Sequence, residues 1–244
     1  MKVTWSFSLT ALILLVSLSV LPVGAQTLVG TVSVGSNPAH LGVNATTNKI
    51  YVANEGANTV TVIDGVTDTT RTVVVGWYPG AIGVNPVTNL IYIAQPNNNT
   101  VTIIDGATLS TTSVPVGYSP QGELVDSARN KIYVSNNDGT ITVIDGRNNN
   151  TFTVAARYYI YGMAINQTTN KIYTANGYDN TVTIIDGATL ASNTISVGNF
   201  AYRIAVNSVT NKIYVANAND NDITVIDGAT LVSGETFAMK AQAT

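Results

Sequence analysis

The sequence predicts an all-β protein built from five copies of a four-stranded unit that repeats about every 41 residues. Two markers define the period, and successive copies of each lie 40 or 41 residues apart. The first is the tripeptide Ile-Asp-Gly, which begins at Ile63, Ile104, Ile144, Ile185 and Ile226. The second is NKIYVAN and its variants, which begin at Asn48, Asn89, Asn130, Asn170 and Asn211. No helical periodicity occurs after residue 25, so we expect strands throughout the repeats.

The segment that precedes the repeats predicts a signal peptide at residues 1–25. Lys2 supplies a positive charge, an apolar run extends from Phe7 to Leu21, and Val23 to Ala25 offers small or β-branched residues for cleavage. The alternative is a retained anchor, but the run is shorter than the roughly 20 residues that a membrane span needs. We therefore expect a secreted, periplasmic or cell-surface protein with no membrane span once the signal is removed.

Each repeat predicts four short strands in order. The first is apolar, as at Ala39–Val43, and the second is rich in β-branched residues and Tyr, as at Lys49–Ala53. The third, Thr59–Asp64, alternates strictly, so we expect its Val residues to be buried and its Thr residues exposed. An Asp-Gly turn leads to the fourth strand, as at Thr72–Val75.

The repeated aspartates of the Ile-Asp-Gly tripeptides have two interpretations. They could be catalytic or bind calcium, but a residue present in every copy is explained by the repeat itself. An Asp carboxylate can accept hydrogen bonds from nearby backbone N–H groups and so shape the turn. We therefore expect a structural role at Asp64, Asp105, Asp145, Asp186 and Asp227.

Four-stranded units of this length are typical of the blades of a β-propeller, because no blade can bury both of its faces alone. We expect one domain over residues 26–244, with repeats at about 36–76, 77–117, 118–156, 157–198 and 199–240. Leu28–Val34 and Glu235–Lys240 compete as the outer strand of the last blade. We favour a closed five-bladed ring, and an open arc or a fragment of a larger propeller is the alternative.

The repeats resemble the YVTN β-propeller repeat family. Its motif is matched by Tyr51-Val52-Ala53-Asn54 and Tyr214-Val215-Ala216-Asn217, and the same pattern extends to TNKIYVAN, NTVTVIDG and the segment from Val34 to Pro38. The resemblance covers all five repeats. It implies a propeller and an exported or surface-layer protein, since family members include archaeal surface-layer proteins and exported bacterial proteins. Familiar propellers of this type have seven blades, whereas five copies are present here.

Composition excludes several classes of site. The chain has no Cys and a single His, so disulfides, Cys nucleophiles and multi-histidine metal or haem sites are ruled out. Only 10% of residues are charged and the net charge is −3, which argues against nucleic-acid binding through phosphates on electrostatic grounds. Thr and Asn, with 34 and 27 copies, make up a quarter of the chain. We expect no metal and no cofactor.

Variation between repeats concentrates on one face. By strand parity, the linking loops, which join the fourth strand of one blade to the first of the next, share a face with the loops between second and third strands. The linking loops vary most, and aromatic rings beside polar groups suit a protein or glycan ligand. The candidate ligand-binding residues are His40, Trp77, Tyr78, Tyr118, Glu123, Arg157, Tyr159, Tyr161, Phe200, Tyr202 and Arg203.

Other interpretations of this face remain open. The aromatic rings could simply cover the blade ends. A nucleic-acid-binding propeller, with bases stacked on the rings and a few cations beside them, is a further alternative that the net negative charge weakens. A lactonase-like propeller enzyme would need polar residues in the channel, for which only His40, Glu123 and Arg203 are available. Glu123 replaces an apolar residue of the other copies, so we expect either a raised pKa or a charged partner, with Arg203 the candidate. The sequence favours a non-catalytic binding scaffold with no catalytic residue.

Overall fold

The computed structural model describes residues 30–238, with side chains up to residue 231, and all of its strands lie in the compact unit that begins at Ser33. The predicted signal peptide lies outside the described residues. Between residues 30 and 238 there is no helix long and apolar enough to cross a membrane.

Five antiparallel sheets of four strands follow one another along the chain. Blade 1 holds β1 Pro38–Asn44, β2 Lys49–Asn54, β3 Thr59–Asp64 and β4 Thr70–Val74. Blade 2 holds β5 Ile82–Asn85, β6 Leu90–Gln95, β7 Thr100–Asp105 and β8 Thr111–Pro115. Blade 3 holds β9 Pro120–Asp126, β10 Lys131–Asn136, β11 Thr140–Asp145 and β12 Thr151–Ala155. Blade 4 holds β13 Ile160–Asn166, β14 Lys171–Asn176, β15 Thr181–Asp186 and β16 Ser192–Ser196. Blade 5 holds β17 Ala201–Asn207, β18 Lys212–Asn217, β19 Asp222–Asp227 and β20 Val232–Ala238.

The predicted all-β class and four-stranded blades are confirmed, since every sheet has its strands in sequence order. The fourth strand begins earlier than predicted, at Thr70 rather than Thr72. The reason is the tight Asp-Gly turn, in which the Asp64 N–H donates to the Thr69 carbonyl at 2.9 Å and brings the chain straight back. The carboxylate of Asp64 accepts bonds from the N–H groups of Val66 and Thr67, as expected of a structural turn residue.

The hydrophobic core lies between consecutive blades. At the first junction, Tyr51, Val60 and Val62 of blade 1 pack with Ile91 and Ile93 of blade 2. Equivalent clusters fill the later junctions. Blades 2 to 4 are thus covered on both faces by neighbouring blades, which is the arrangement of a propeller.

The central Thr of each third strand is buried, contrary to the prediction of an exposed face. Thr61 is buried on the face turned away from blade 2, and its hydroxyl accepts a bond of 2.9 Å from the Asn54 amide, against which the segment at Gly35 packs closely. Asn136, Asn176 and Asn217 make the same bond to the matching Thr residues. The Thr and Asn excess therefore supplies buried hydrogen bonds, which a strand-alternation pattern cannot distinguish from solvent exposure.

A row of Asn side chains, here called the asparagine belt, also links the blades. The Asn44 amide donates to the Asn89 side chain of the next blade at 2.9 Å. The same bond joins Asn85 to Asn130 and Asn166 to Asn211.

The belt is interrupted between blades 3 and 4, where Asp126 replaces the donor Asn. Asp126 is buried and instead pairs with Arg129 at 3.1 Å, while Arg129 reaches the Gln167 carbonyl of blade 4. The Asn170 side-chain oxygen, which would accept the missing bond, has no hydrogen-bond partner. An ion pair thus substitutes for an amide link at this junction.

The predicted closed ring is not found among the described residues. Strands of consecutive blades contact one another, but blades 1 and 5 share no comparable contact within residues 33–238. Tyr214 of blade 5 is 37% exposed, whereas its equivalents in blades 1 to 4 are fully buried. The outer strand of blade 5 is the C-terminal candidate, here β20, and residues 30–34 form no strand. The remaining residues of the two competing segments, 28–29 and 239–240, lie outside the described part.

Candidate functional site

The backbone of the linking loops is held in a conformation unusual for large side chains. One residue in each of the four linking loops has a positive φ, namely Tyr78, Ser119, Tyr159 or Phe200, and Asn37 has the same conformation in the segment that leads into blade 1. Asn side chains from the loops between second and third strands hold three of them. The Asn58 oxygen accepts from the Tyr78 N–H at 3.0 Å, and Asn180 accepts from Phe200 at 2.8 Å. These bonds place the two loop types on one face, as strand parity predicts.

Aromatic residues at these positions strain the backbone. A left-handed conformation costs roughly 1–2 kcal/mol for residues other than Gly, and Asn tolerates it best. Tyr78 and Tyr159 adopt it with φ of 55° and 57° although both side chains are about half exposed. By contrast, Leu109 and Leu190 adopt it while packing against the core clusters, so burial offsets the strain. The exposed rings lack that compensation.

Five rings of blades 4 and 5 form one group, called here the aromatic cluster. Tyr159 meets Tyr178 edge to face at 4.7 Å between ring centroids. Tyr161 lies 5.2 Å from Phe200 and 5.4 Å from Tyr202. Phe200 also lies 5.5 Å from Tyr178, so the cluster is continuous across the two blades. Three of the rings, those of Tyr159, Tyr178 and Tyr202, are exposed, which leaves apolar area open to a ligand.

Arg203 extends the cluster with a positive charge. Its guanidinium carbon lies 4.6 Å from the Tyr202 ring centroid, and it donates to the Tyr161 carbonyl. Arg203 forms no ion pair with an acidic residue of the described chain. The predicted partnership with Glu123 is therefore wrong, because the guanidinium is used by the two tyrosines. Its remaining N–H groups are available to a ligand carbonyl or carboxylate.

A cavity of about 300 Å³ adjoins the cluster along the first strands of blades 3, 4 and 5. Tyr161 and Arg203 belong both to the cluster and to the cavity wall. Glu123, Ser135 and Met163 also line it. An exposed aromatic surface therefore adjoins a cavity, and this combination is typical of ligand sites.

Glu123 has the raised pKa that the sequence suggested. Both carboxyl oxygens are shielded from solvent and neither makes a hydrogen bond of normal geometry within the described residues, although the residue as a whole is half-buried. Burial raises the pKa of Glu123 well above its ordinary value, and the backbone N–H of Gly83 lowers it by less. The carboxyl lies against Gly83 of blade 2, where a Cβ would be 3.1 Å from the nearer oxygen. Burial thus favours the protonated form of this carboxyl, which lies in the junction between blades 2 and 3.

The other predicted site residues are separate from the cluster. Trp77, Tyr78 and Tyr118 are exposed on loops of blades 2 and 3, and the described rings of the cluster do not contact them. A hydrogen bond to Glu55 raises the pKa of Tyr78. His40 is exposed on β1 of blade 1, away from the cavity.

Arg157 and Asp179 lie at the edge of the cluster. Arg157 lies 3.8 Å from Asp179, beside Tyr178, and both side chains are largely exposed. Tyr178 lies on a neighbouring loop of the same face, and its ring contacts three members of the cluster. Its position in the loop between second and third strands was the available signal, since that loop shares a face with the linking loops.

The comparisons with known proteins support the fold. No family matches the sequence, and no curated protein matches it. Hydrazine synthase of Kuenenia stuttgartiensis is similar in structure, with a TM-score of 0.66 at 17% identity over 83% of this chain and 66% of that one. A chain of the nidogen/laminin complex is similar with a TM-score of 0.60 at 11% identity, over 83% of this chain and 80% of that one. The protein here therefore spans just under two thirds of the length of the hydrazine synthase chain. The chain is accordingly a β-propeller-like repeat protein, and identities this low show the fold alone.

Proposed function

We propose that this protein is an exported, non-catalytic propeller of the YVTN type that binds a protein or glycan ligand through the aromatic cluster. The observation that carries the proposal is the positive φ of Tyr159 and of the equivalent Phe200, whose rings are joined through Tyr178 although the Tyr159 side chain is half exposed. Backbone strain at a position where Asn would adopt the same conformation at a lower free energy is typical of functional sites.

The chemistry of the cluster fits such a ligand. Tyr rings offer rigid contact area at low entropic cost, and Arg203 offers directional donors beside them. Tyr and Arg are also the residue types that dominate binding energy in protein interfaces. Export is inferred from the signal-like segment at residues 1–25, which places the face outside the cytoplasm.

The experiment uses variants that remove rings while keeping a backbone-compatible residue. Asn occupies the same loop position in blade 1, at Asn37, so Tyr159→Asn and Phe200→Asn remove rings without adding strain. The matched control is Tyr78→Asn, which changes the same position in blade 2 outside the cluster. The mature protein and each variant are applied to a glycan array and to an array of envelope and matrix proteins.

We expect binding that is lost in the Tyr159→Asn/Phe200→Asn double variant and retained in the Tyr78→Asn control. Equal binding by all forms would place the contact surface elsewhere. No binding by the mature protein to either array would contradict the proposal.

A lactonase-like hydrolase is the second candidate. The observation in its favour is Glu123, a residue that lines the cavity together with Arg203 and whose carboxyl has a pKa raised by burial. Turnover of a lactone panel by the mature protein, lost on Glu123→Gln, is the result that would favour the enzyme over the scaffold.

A further inference from the structure

The faces that blades present to one another are of two kinds. The leading face of a blade packs against the blade before it, and the trailing face packs against the blade after it. At the first junction Ile82 and Val84 of blade 2 approach Gly42 of blade 1 so closely that a Cβ there would lie 2.6 Å from an Ile82 methyl group. Tyr51 of blade 1 is fully buried in the same junction. Leading and trailing faces are thus complementary in shape.

Blade 1 and blade 5 each have one such face without a described neighbouring blade, and these faces are partly exposed: Val52 and Val225 in their centres are buried, whereas residues around them are open. On the leading face of blade 1, Leu41 and Val43 are 68% and 60% exposed, whereas the matching Ile82 and Val84 are half-buried. On the trailing face of blade 5, Tyr214 is 37% exposed. Large apolar side chains exposed together on a sheet face are typical of an interaction surface.

The asparagine belt ends at the same two faces. Asn207 of blade 5 corresponds to the donors Asn44, Asn85 and Asn166, and it is exposed rather than buried. Asn48 of blade 1 corresponds to the acceptors, and no described blade precedes it to supply a donor. The end faces therefore match in polar groups as well as in apolar ones.

We propose that the trailing face of blade 5 in one copy binds the leading face of blade 1 in a second copy of this chain. The partner is identified by the junctions themselves, since the chain already pairs these two surface types four times along its length. In the intermolecular junction Tyr214 occupies the position that Tyr51 has in the first junction. Leu41 and Val43 of the second copy occupy the positions of Ile82 and Val84. The asparagine belt continues through a hydrogen bond from Asn207 to Asn48 of the second copy.

This contact is heterologous, because two different faces meet. Such contacts give a ring when the rotation closes and an extended chain when it does not. Two copies joined at both ends form one closed ring. Copies joined at one end form an extended chain, in which each copy is displaced along the axis around which the blades are arranged, so that successive copies do not overlap. Either form increases in mass with protein concentration.

The test uses the full mature protein with one face blocked at a time. Leu41→Lys with Val43→Lys blocks the leading face, and Tyr214→Lys blocks the trailing face. The substituted side chains are exposed, so the fold is expected to survive, which circular dichroism checks. Val209→Lys is the matched control, since Val209 is 94% exposed in the turn between β17 and β18.

Sedimentation velocity over a concentration series gives the result. We expect the wild type and the control to associate, each blocked variant alone to remain monomeric, and an equimolar mixture of the two blocked variants to form a heterodimer and nothing larger. A wild type that stays monomeric at every concentration overturns the proposal, and so does association that survives both blocks.

A second readout does not depend on the blocked variants. The chain has no Cys, so Asn48→Cys and Asn207→Cys each introduce a single thiol. We expect a short bismaleimide to join the two single-Cys proteins when they are mixed, and neither protein to itself. Self-joining of Asn48→Cys would indicate a symmetric contact and overturn the proposal.

Discussion

The guanidinium of Arg203 lies over the ring of Tyr202, with 4.6 Å between the guanidinium carbon and the ring centroid. The same side chain donates to the Tyr161 carbonyl of the preceding blade, so one residue joins blades 4 and 5. This contact fixes a positive charge next to exposed rings, and it accounts for the absence of the expected pair with Glu123.

Arg203 should contribute modestly to stability. Replacing it with Gln removes a cation–π contact worth about 0.5–1 kcal/mol at an exposed site, and we expect a loss of that order in urea unfolding. Arg203→Lys is the control that keeps the charge. If the Arg203→Gln and Arg203→Lys variants were both as stable as the wild type, the cation–π contact with Tyr202 would contribute nothing to the stability of the fold.

Glu123 should make the protein less stable as pH rises. The folded-state pKa is raised, so the penalty is absent below the ordinary pKa of about 4.5 and increases as pH rises toward the folded value. Met occupies the equivalent position in blade 4, so Glu123→Met is a fitting replacement. We expect it to raise stability at pH 7 by about 1–3 kcal/mol and to have little effect at pH 4. Urea unfolding at the two pH values measures this, and an equal change at both would contradict it.

Asp145 should make the protein less stable as pH falls. The side chain of Arg147 and then its backbone N–H lower the pKa of Asp145 to about 2. A lowered folded-state pKa gives stability that is present above the ordinary value of about 3.8 and is lost as pH falls toward 2. We expect the Asp145→Asn variant to lose less stability than the wild type between pH 4 and pH 2. Thermal unfolding over that range is the measurement, and parallel curves would contradict the assignment.

The junction between blades 3 and 4 should respond non-additively to two substitutions. Arg129→Thr alone leaves the buried Asp126 carboxylate without its ion-pair partner, and we expect a loss of about 1–3 kcal/mol. Adding Asp126→Asn restores the donor that the belt uses elsewhere and gives Asn170 a partner. The double variant should recover most of the loss in a double-mutant cycle. Additive losses would show that the Asn link cannot form at this junction.

The repeat made much of the fold predictable. Strands and turns followed from the Ile-Asp-Gly and NKIYVAN spacing, because each copy repeats the same local chemistry. Burial of Thr61 did not follow, since a strand covered on both faces shows the same alternation as one covered on a single face. Closure did not follow either, because it depends on where β20 pairs rather than on a local pattern.

The site was only partly predictable. Its rings could be found by subtracting the repeat, and Tyr159, Tyr161, Phe200 and Tyr202 do meet. The positive φ of Tyr159 could not be found in this way, because sequence signals for left-handed backbone are Gly and Asn. The separation of Trp77 from the cluster follows from blade order along the chain, since its loop precedes blade 2 whereas the cluster lies on blades 4 and 5, and grouping residues by type alone overlooks that order.

The unfolding free energies of Tyr159→Asn and Phe200→Asn test most directly whether the rings serve binding rather than the fold. If the rings are kept for a ligand, relief of backbone strain offsets the lost ring contacts, and both variants should match or exceed the wild type within about 0.5 kcal/mol. Tyr173→Ala, which removes a fully buried ring, should lose about 3–5 kcal/mol and calibrate the assay. A loss of about 2 kcal/mol or more in either Asn variant would show that the rings are structural covers of the blade ends and would contradict the account.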